Sequence, residues 1–410
     1  MNSTKFTYKC TDCSKEYSTT DVMYLCPICS KENTTTTPPK GVLKTVYNYS
    51  SLKSLGYEGL MKNNFLDVLP VNSIDSFSYL KVGKTPLYPI KKLDKKSLGF
   101  NLFLKDDSQN PTFSFKDRAS TLVSAFAKEN NLHTIIAAST GNAGSSLAGI
   151  CASQGQQAII MVPESAPIAK LTQIIMYGAK IVPVKGTYDE AFDLSVKATE
   201  VFGWYNRNTA FNPFTIEGKK SVSLELIEQL NFKAPERFFV PVGDGVIISG
   251  VYKGFEDLLN LGIIDKMPII VAVQSAGSEN LVRNIGKKEF QIKPSSTIAD
   301  SISVDIPRNF YMAQQFIQMY NGETIIVSDD EIIAASAVLS KNTGIFAEPA
   351  AATAFAGMLS YQKNHKLTDN SNNVVLLTGS GLKDLKSVSS LLNIPSSIYP
   401  TIDNLQKLLS

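Results

Sequence analysis

The sequence predicts an α/β fold in which parallel sheets are covered on both faces by helices. Three observations carry this. Continuously apolar stretches of strand length recur, at Thr134–Ser139, Ala158–Val162, Lys180–Val184, Arg237–Val242, Ile269–Gln274 and Asn373–Leu377. Stretches of helix length separate them, at Asn142–Ser153, Ile168–Tyr177, Tyr188–Phe202 and near Ala350–Gln362. Strands that are apolar on both faces and alternate with helices belong in buried parallel sheets. Finally, 410 residues with a hydrophobic fraction of 43% exceed one ordinary core, so two or three domains are expected.

The chain before these elements reads differently. Cys10-Thr11-Asp12-Cys13 and Cys26-Pro27-Ile28-Cys29 form a CxxC…CxxC pair. Two such knuckles can present four thiolates in a tetrahedron, a closed site that suits Zn²⁺. We read Cys10, Cys13, Cys26 and Cys29 as ligands of a structural zinc in a zinc-ribbon-like arm. It is expected to act as a clip rather than a recognition surface. Thr34–Pro39, TTTTPP, is a linker signal. No clean periodicity follows until about Lys84.

Composition excludes several function classes. The net charge of +3 offers no broad basic surface for nucleic acid or anionic membrane. The polar start, Met1–Lys9, has no signal-peptide core, and no apolar run nears the roughly 20 residues of a membrane span. A cytoplasmic protein is the expectation. The two histidines, His133 and His365, stand apart from any Cys or Asp constellation, which disfavours a histidine triad. Cys151, in an apolar stretch, reads as a core residue.

Ligands of open parallel sheets bind beyond the carboxyl ends of strands. Three loops follow apolar strands there: Ser139-Thr-Gly-Asn-Ala-Gly144, Gly243-Asp-Gly-Val-Ile247 and Thr378-Gly-Ser-Gly381. The second opens a helix, where backbone N–H groups and the helix dipole favour a phosphate. Asn142 can serve as a helix cap or donate its amide to a ligand oxygen, and Thr378 can serve as a turn residue or offer a hydroxyl to a ring nitrogen. Lys116 lies in Asn110-Pro-Thr-Phe-Ser-Phe-Lys-Asp-Arg118, flanked by Phe113 and Phe115. Apolar neighbours would lower its pKa and make it a nucleophile able to condense with an aldehyde.

NPTFSFKDR resembles the cofactor-lysine motif of the threonine synthase family. That family belongs to the fold type II, tryptophan-synthase-β-like enzymes that use pyridoxal 5′-phosphate (PLP). Thr85-Pro-Leu87, STGNAG, Pro241-Val-Gly-Asp-Gly245, Ala299-Asp-Ser-Ile-Ser303, Ala347-Glu-Pro-Ala-Ala351 and Thr378-Gly-Ser-Gly-Leu-Lys-Asp384 resemble further family segments, in order, over about Thr85–Asp384. The resemblance implies that Lys116 bonds PLP covalently and is the catalytic base. It implies that Asn142 bonds the cofactor's 3′-oxygen. Gly243, Asp244, Gly245, Val246 and Ile247 would hold its phosphate, Thr378 would face its pyridine nitrogen, and Ser139, Thr140 and Gly141 would bind the substrate carboxylate. It further implies two lobes, a small one over 120–220 and a large one over 40–119 with 221–410, beside the arm 1–39. A cleft between the lobes would close on an amino-acid substrate, and a homodimer is common in the group.

The implied reaction converts O-phospho-L-homoserine and water to L-threonine and phosphate. Two departures stand against the family pattern. Thr215, in Asn212-Pro-Phe-Thr-Ile-Glu-Gly218, replaces an arginine that helps bind the substrate phosphate, and Ala143 replaces a threonine. Arg118, Arg207, Lys219 and Lys253 are the candidates to compensate. The departures motivate an alternative, a relative acting as a serine or threonine dehydratase or a β-replacement enzyme. A non-catalytic PLP-binding homologue is the third reading.

Overall fold

The computed structural model describes residues 5–391 and 394–409. Residues 1–4, at the polar start, and 392, 393 and 410 lie outside it.

Two parallel sheets carry the chain. The four-stranded one runs in the order Lys180–Val184, Gln157–Pro163, Thr134–Ala138, Tyr205–Asn206, with every pair parallel. The six-stranded one runs Glu323–Val327, Ile269–Ser275, Arg237–Pro241, Asn372–Leu377, Lys96–Asp106, Leu87–Leu93. Its last pair is an antiparallel hairpin. The inner strands of both sheets are buried on two faces, as their unbroken apolar runs require. Phe238 and Val240 join the core on one side of the larger sheet, while Phe239 joins the core on the other. Ile135 and Ala137 likewise part from Ile136 and Ala138 across the smaller sheet.

The expected strands and helices are present within one or two residues at each end. Three features depart from the sequence reading. The strand Glu323–Val327 exposes alternate residues at its sheet edge, so it lacks the continuous apolar run used as the signal. The hairpin Leu87–Asp106 is largely exposed along its first strand, for the same reason. The strand Leu43–Tyr47 pairs with Phe6–Cys10, so the small antiparallel sheet of the arm continues beyond residue 39.

This arm is packed against the body rather than tethered loosely. Phe6 and Tyr8 lie against Phe214, at ring-centroid distances of 6.0 and 6.2 Å. Tyr24 stacks on Phe211 at 4.5 Å. The hydroxyls of Tyr47 and Tyr49 donate to Glu217 and Asp257, at 2.7 and 2.6 Å. Those carboxylates also bind the buried ammonium groups of Lys220 and Lys253. No described helix is long and apolar enough to cross a membrane.

A second buried ionic cluster holds the helix Asp117–Glu129 in place. The Arg118 guanidinium, 1% exposed, grips Asp107 through Nε at 2.6 Å and Nη2 at 2.9 Å. It also donates to Glu225 at 2.5 and 3.0 Å. Lys105 pairs with the same Glu225 at 2.5 Å. Burial raises the Glu225 pKa, but Arg118 and Lys105 outweigh it and hold the carboxyl at about 2. Close packing requires Gly218 here, because a Cβ at that position would collide with the Arg118 carbonyl. Arg118→Met would leave two buried carboxylates short of their partner. It should destabilise the protein by about 3–5 kcal/mol, read as a lower midpoint in urea unfolding.

Candidate active site

A cavity of about 400 Å³ lies between the carboxyl ends of the two sheets. Its walls come from the loop after Thr134–Ala138, the loop after Arg237–Pro241, Lys116, the stretch 295–308, and Tyr188, Arg207 and Lys219. This is the position predicted for a ligand of open parallel sheets.

Lys116 stands at the N-cap of the helix Asp117–Glu129. The residues before it are stitched down on both sides. Asp117 accepts from the backbone N–H and hydroxyl of Thr112, at 2.7 and 2.5 Å. Phe115 N donates to the Thr378 carbonyl at 2.9 Å, and Ser380 N donates to the Phe113 carbonyl at 3.1 Å. The lysine therefore leaves a rigid turn and enters the cavity. Burial lowers its pKa to about 8, assisted by the charge of Arg207 and opposed by Glu348 and Asp244. One part of the sequence reading needs correction. Phe115 is fully buried, but Phe113 is 51% exposed with φ +65°, so it does not desolvate Lys116. The reverse turn that aims the lysine inward points Phe113 outward.

The glycine loop forms a cup at the start of the helix Val246–Asn260. Gly245 is its N-cap, at φ +84°, with no side chain over the first N–H groups. A Cβ on Gly243 would come within 2.9 Å of Ile302 Cα. The Asp244 carboxylate accepts from Arg308 N at 3.1 Å, securing a neighbouring turn. An uncovered helix N-terminus and a nucleophilic amine on one cavity fit a phosphate-bearing aldehyde such as PLP.

Ser139, Thr140, Gly141 and Asn142 line the facing wall. Gly141 N donates to Ser139 Oγ at 3.2 Å, and Gly141, not Asn142, caps the helix Asn142–Gln154. The Asn142 amide is thus free of helix capping. It donates to Glu348 at 2.9 and 3.0 Å. Thr378 is buried at the end of its strand, beside the Lys116 segment, but is not part of the cavity lining.

Glu348 is a residue that the sequence reading passed over. It is 3% exposed, and burial raises its pKa against the pull of Asn142, Lys116 and Lys383. Its only signal was membership of the Ala347–Ala351 segment. Across the mouth, Arg308 pairs with Asp189, and Lys170 with Asp300 at 2.5 Å. These contacts join residues far apart in sequence and carry no local signature.

In the arm, the four Sγ atoms of Cys10, Cys13, Cys26 and Cys29 lie within 4.8 Å of one another. Cys10–Cys29 and Cys13–Cys26 are each separated by 3.8 Å. Sulfurs bound about 2.3 Å from a tetrahedral zinc lie about 3.8 Å apart, so the set fits that ion.

Comparison with known proteins agrees with this geometry. Residues 79–379 match the family described as "Pyridoxal-phosphate dependent enzyme". The chain is 33% identical to the threonine synthase of Methanocaldococcus jannaschii, over 98% of each chain. It is 36% identical to that of a Bacillus species, over 80% of this chain and 91% of the relative. The structure resembles processed threonine deaminase isoform 2 from Solanum lycopersicum, with a TM-score of 0.64 and 25% identity, over 75% of this chain and 84% of that one. The chain is a member of the pyridoxal-phosphate-dependent enzyme family and, within it, of the threonine synthases.

Proposed function

We propose that the protein converts O-phospho-L-homoserine and water to L-threonine and phosphate. The observation that carries this reading is the half-buried Lys116 amine, with its lowered pKa, on a cavity shared by the Ser139–Asn142 loop and the glycine cup. PLP, when bound, supplies an electron sink for carbanion character beside the substrate's amino group.

The chain's own residues divide the remaining work. The Lys116 amine takes the proton from the substrate's Cα and then moves a proton at Cβ. A pKa of about 8 places it near the working pH, where an amine both accepts and returns protons well. Ser139, Thr140 and Gly141 receive the substrate carboxylate with hydroxyl and backbone donors. The N–H groups over Gly243–Ile247 would hold the cofactor phosphate. With PLP bound, Asn142 would donate to the cofactor's 3′-oxygen from an amide that Glu348 orients, and Thr378, buried beside the Lys116 segment, would be the hydroxyl on the side of the ring nitrogen.

The two-lobed division belongs to the same reading. The four-stranded sheet lies inside residues 120–220, and the pairs Arg308–Asp189 and Lys170–Asp300 bridge the two halves at the mouth. Closure there excludes water until the Cβ position is ready to receive it. The reading also includes a homodimer, a cytoplasmic setting, and a structural zinc held by Cys10, Cys13, Cys26 and Cys29.

Purified PLP-loaded protein should release phosphate and L-threonine from O-phospho-L-homoserine in equal amounts, and Lys116→Ala should lose both by at least about 10³-fold. A normal cofactor absorbance with no phosphate release would refute the substrate. Covalent loading of the apo-protein with PLP should quicken as pH rises through about 8, because burial has lowered the Lys116 pKa and only the neutral amine attacks. Borohydride trapping and mass spectrometry of Lys116 would measure it. Elemental analysis should find one zinc per chain, and Cys13→Ser should lose it and lower the unfolding midpoint while retaining the PLP absorbance.

A further inference from the structure

We infer that Arg207 and Lys219 form a second anion site in the cavity, built for the phosphate ester at the end of the substrate side chain. This rests on the activity proposed above and names the residues that take the place of a cation at Thr215.

The argument begins with what Thr215 does. Its hydroxyl donates to the Asn212 carbonyl at 2.7 Å and accepts from Ala210 N at 3.3 Å. It is fully buried, closes its own turn, and is not part of the cavity lining. No cation can reach the ligand from that position, so the charge must come from elsewhere. Of the four nearby candidates, Arg118 is committed to Asp107 and Glu225, and Lys253 to Asp257 and Glu217. Neither lines the cavity.

Arg207 and Lys219 both line it, and each is 1% exposed. Among the described residues, neither is paired with a carboxylate. Arg207 Nε donates to Ser120 Oγ at 3.2 Å and Nη1 to Thr209 Oγ1 at 3.4 Å. Its buried Nη2 has no partner. The Lys219 ammonium donates to the Thr215 carbonyl at 2.8 Å. Two buried cations that repel each other, one with an unused donor, are unfavourable unless an anion joins them. A phosphate dianion offsets both charges, and the planar guanidinium can present two donors to its oxygens.

The site is distinct from the glycine cup in origin. Arg207 follows Tyr205–Asn206 of the four-stranded sheet, whereas Gly243–Ile247 follows Arg237–Pro241 of the six-stranded one. One cavity thus presents two places for phosphate, one on each sheet. Burial lowers the Arg207 pKa only to about 10, so it stays charged at neutral pH. Burial, with Arg207 and Lys116 close by, pushes Lys219 well below its ordinary value. A bound dianion would counter that shift and favour the charged ammonium.

The test is titration of the PLP-loaded protein with inorganic phosphate by calorimetry, in two buffers of different ionisation enthalpy. The expected result is saturable binding with proton uptake, weakened roughly 10- to 100-fold in Arg207→Met and in Lys219→Met. Arg207→Lys should recover part of the loss, and cofactor absorbance and retention should be unchanged in all three. Absence of phosphate binding by the unmodified protein, or binding indifferent to both substitutions, would overturn the assignment. So would release of PLP with phosphate affinity intact, which would give the pair to the cofactor's phosphate. A variant that does not fold leaves Arg207→Lys and the proton uptake of the unmodified protein to decide. Protein that binds phosphate through Arg207 yet makes no threonine would refute the proposed activity and leave this site standing.

Discussion

The Arg118 guanidinium, gripped by Asp107 on one side and Glu225 on the other, is the contact from which the site takes its geometry. It sits two residues after Lys116, at the start of the helix that presents the lysine. Asp107 follows the strand Lys96–Asp106, and Glu225 lies on the helix Ser221–Gln229. One side chain therefore fixes the Lys116 turn against both a sheet strand and a neighbouring helix. A guanidinium suits this role because its planar fork holds two carboxylates in set directions, whereas an ammonium sets a distance but little orientation. Buried ion pairs add little net stability over apolar packing, but they tolerate only one arrangement. Here that arrangement sets where the amine points.

The same logic recurs at the arm. Lys220, Lys253, Glu217 and Asp257 form a buried cluster of alternating sign, and the tyrosines of the strand Leu43–Tyr47 and the helix that follows complete it. The Lys220 ammonium also sits 4.3 Å from the Tyr47 ring centroid. Glu217 and Lys220 flank Lys219, so the cluster that docks the arm also braces a wall of the cavity. Charge partners differ between the two places: the cations of these clusters are held by carboxylates and brace the fold, whereas Lys116, Arg207 and Lys219 have no carboxylate pair among the described residues and line the cavity.

Much of the scaffold was legible in advance. The runs at Thr134–Ala138, Arg237–Pro241 and Asn372–Leu377 are apolar on both faces, and such residues have no stable place except a covered sheet. The loops after them, with Lys116, were recognisable because their chemistry is written in contiguous residues. Elements at sheet edges were not. Glu323–Val327 and Leu87–Leu93 satisfy only half of their surface, so their residues alternate or turn polar and resemble loops.

What the sequence by itself determined was the set of chemical groups and their order: four thiolates at the start, an amine in an aromatic turn, an amide loop and a glycine cup. Backbone hydrogen bonding and burial then dictate local structure from nearby residues, so these survive in a linear reading. Only the tertiary structure decided which charges are spent and which are free. Arg118, Arg207, Lys219 and Lys253 are indistinguishable cations in the chain. Their roles depend on which carboxylates the fold brings within about 3 Å, and Coulomb and hydrogen-bond energies fall too steeply with distance for sequence separation to predict them. The outward turn of Phe113 and the grip of Glu348 on Asn142 have the same origin, since each is set by chain segments hundreds of residues away.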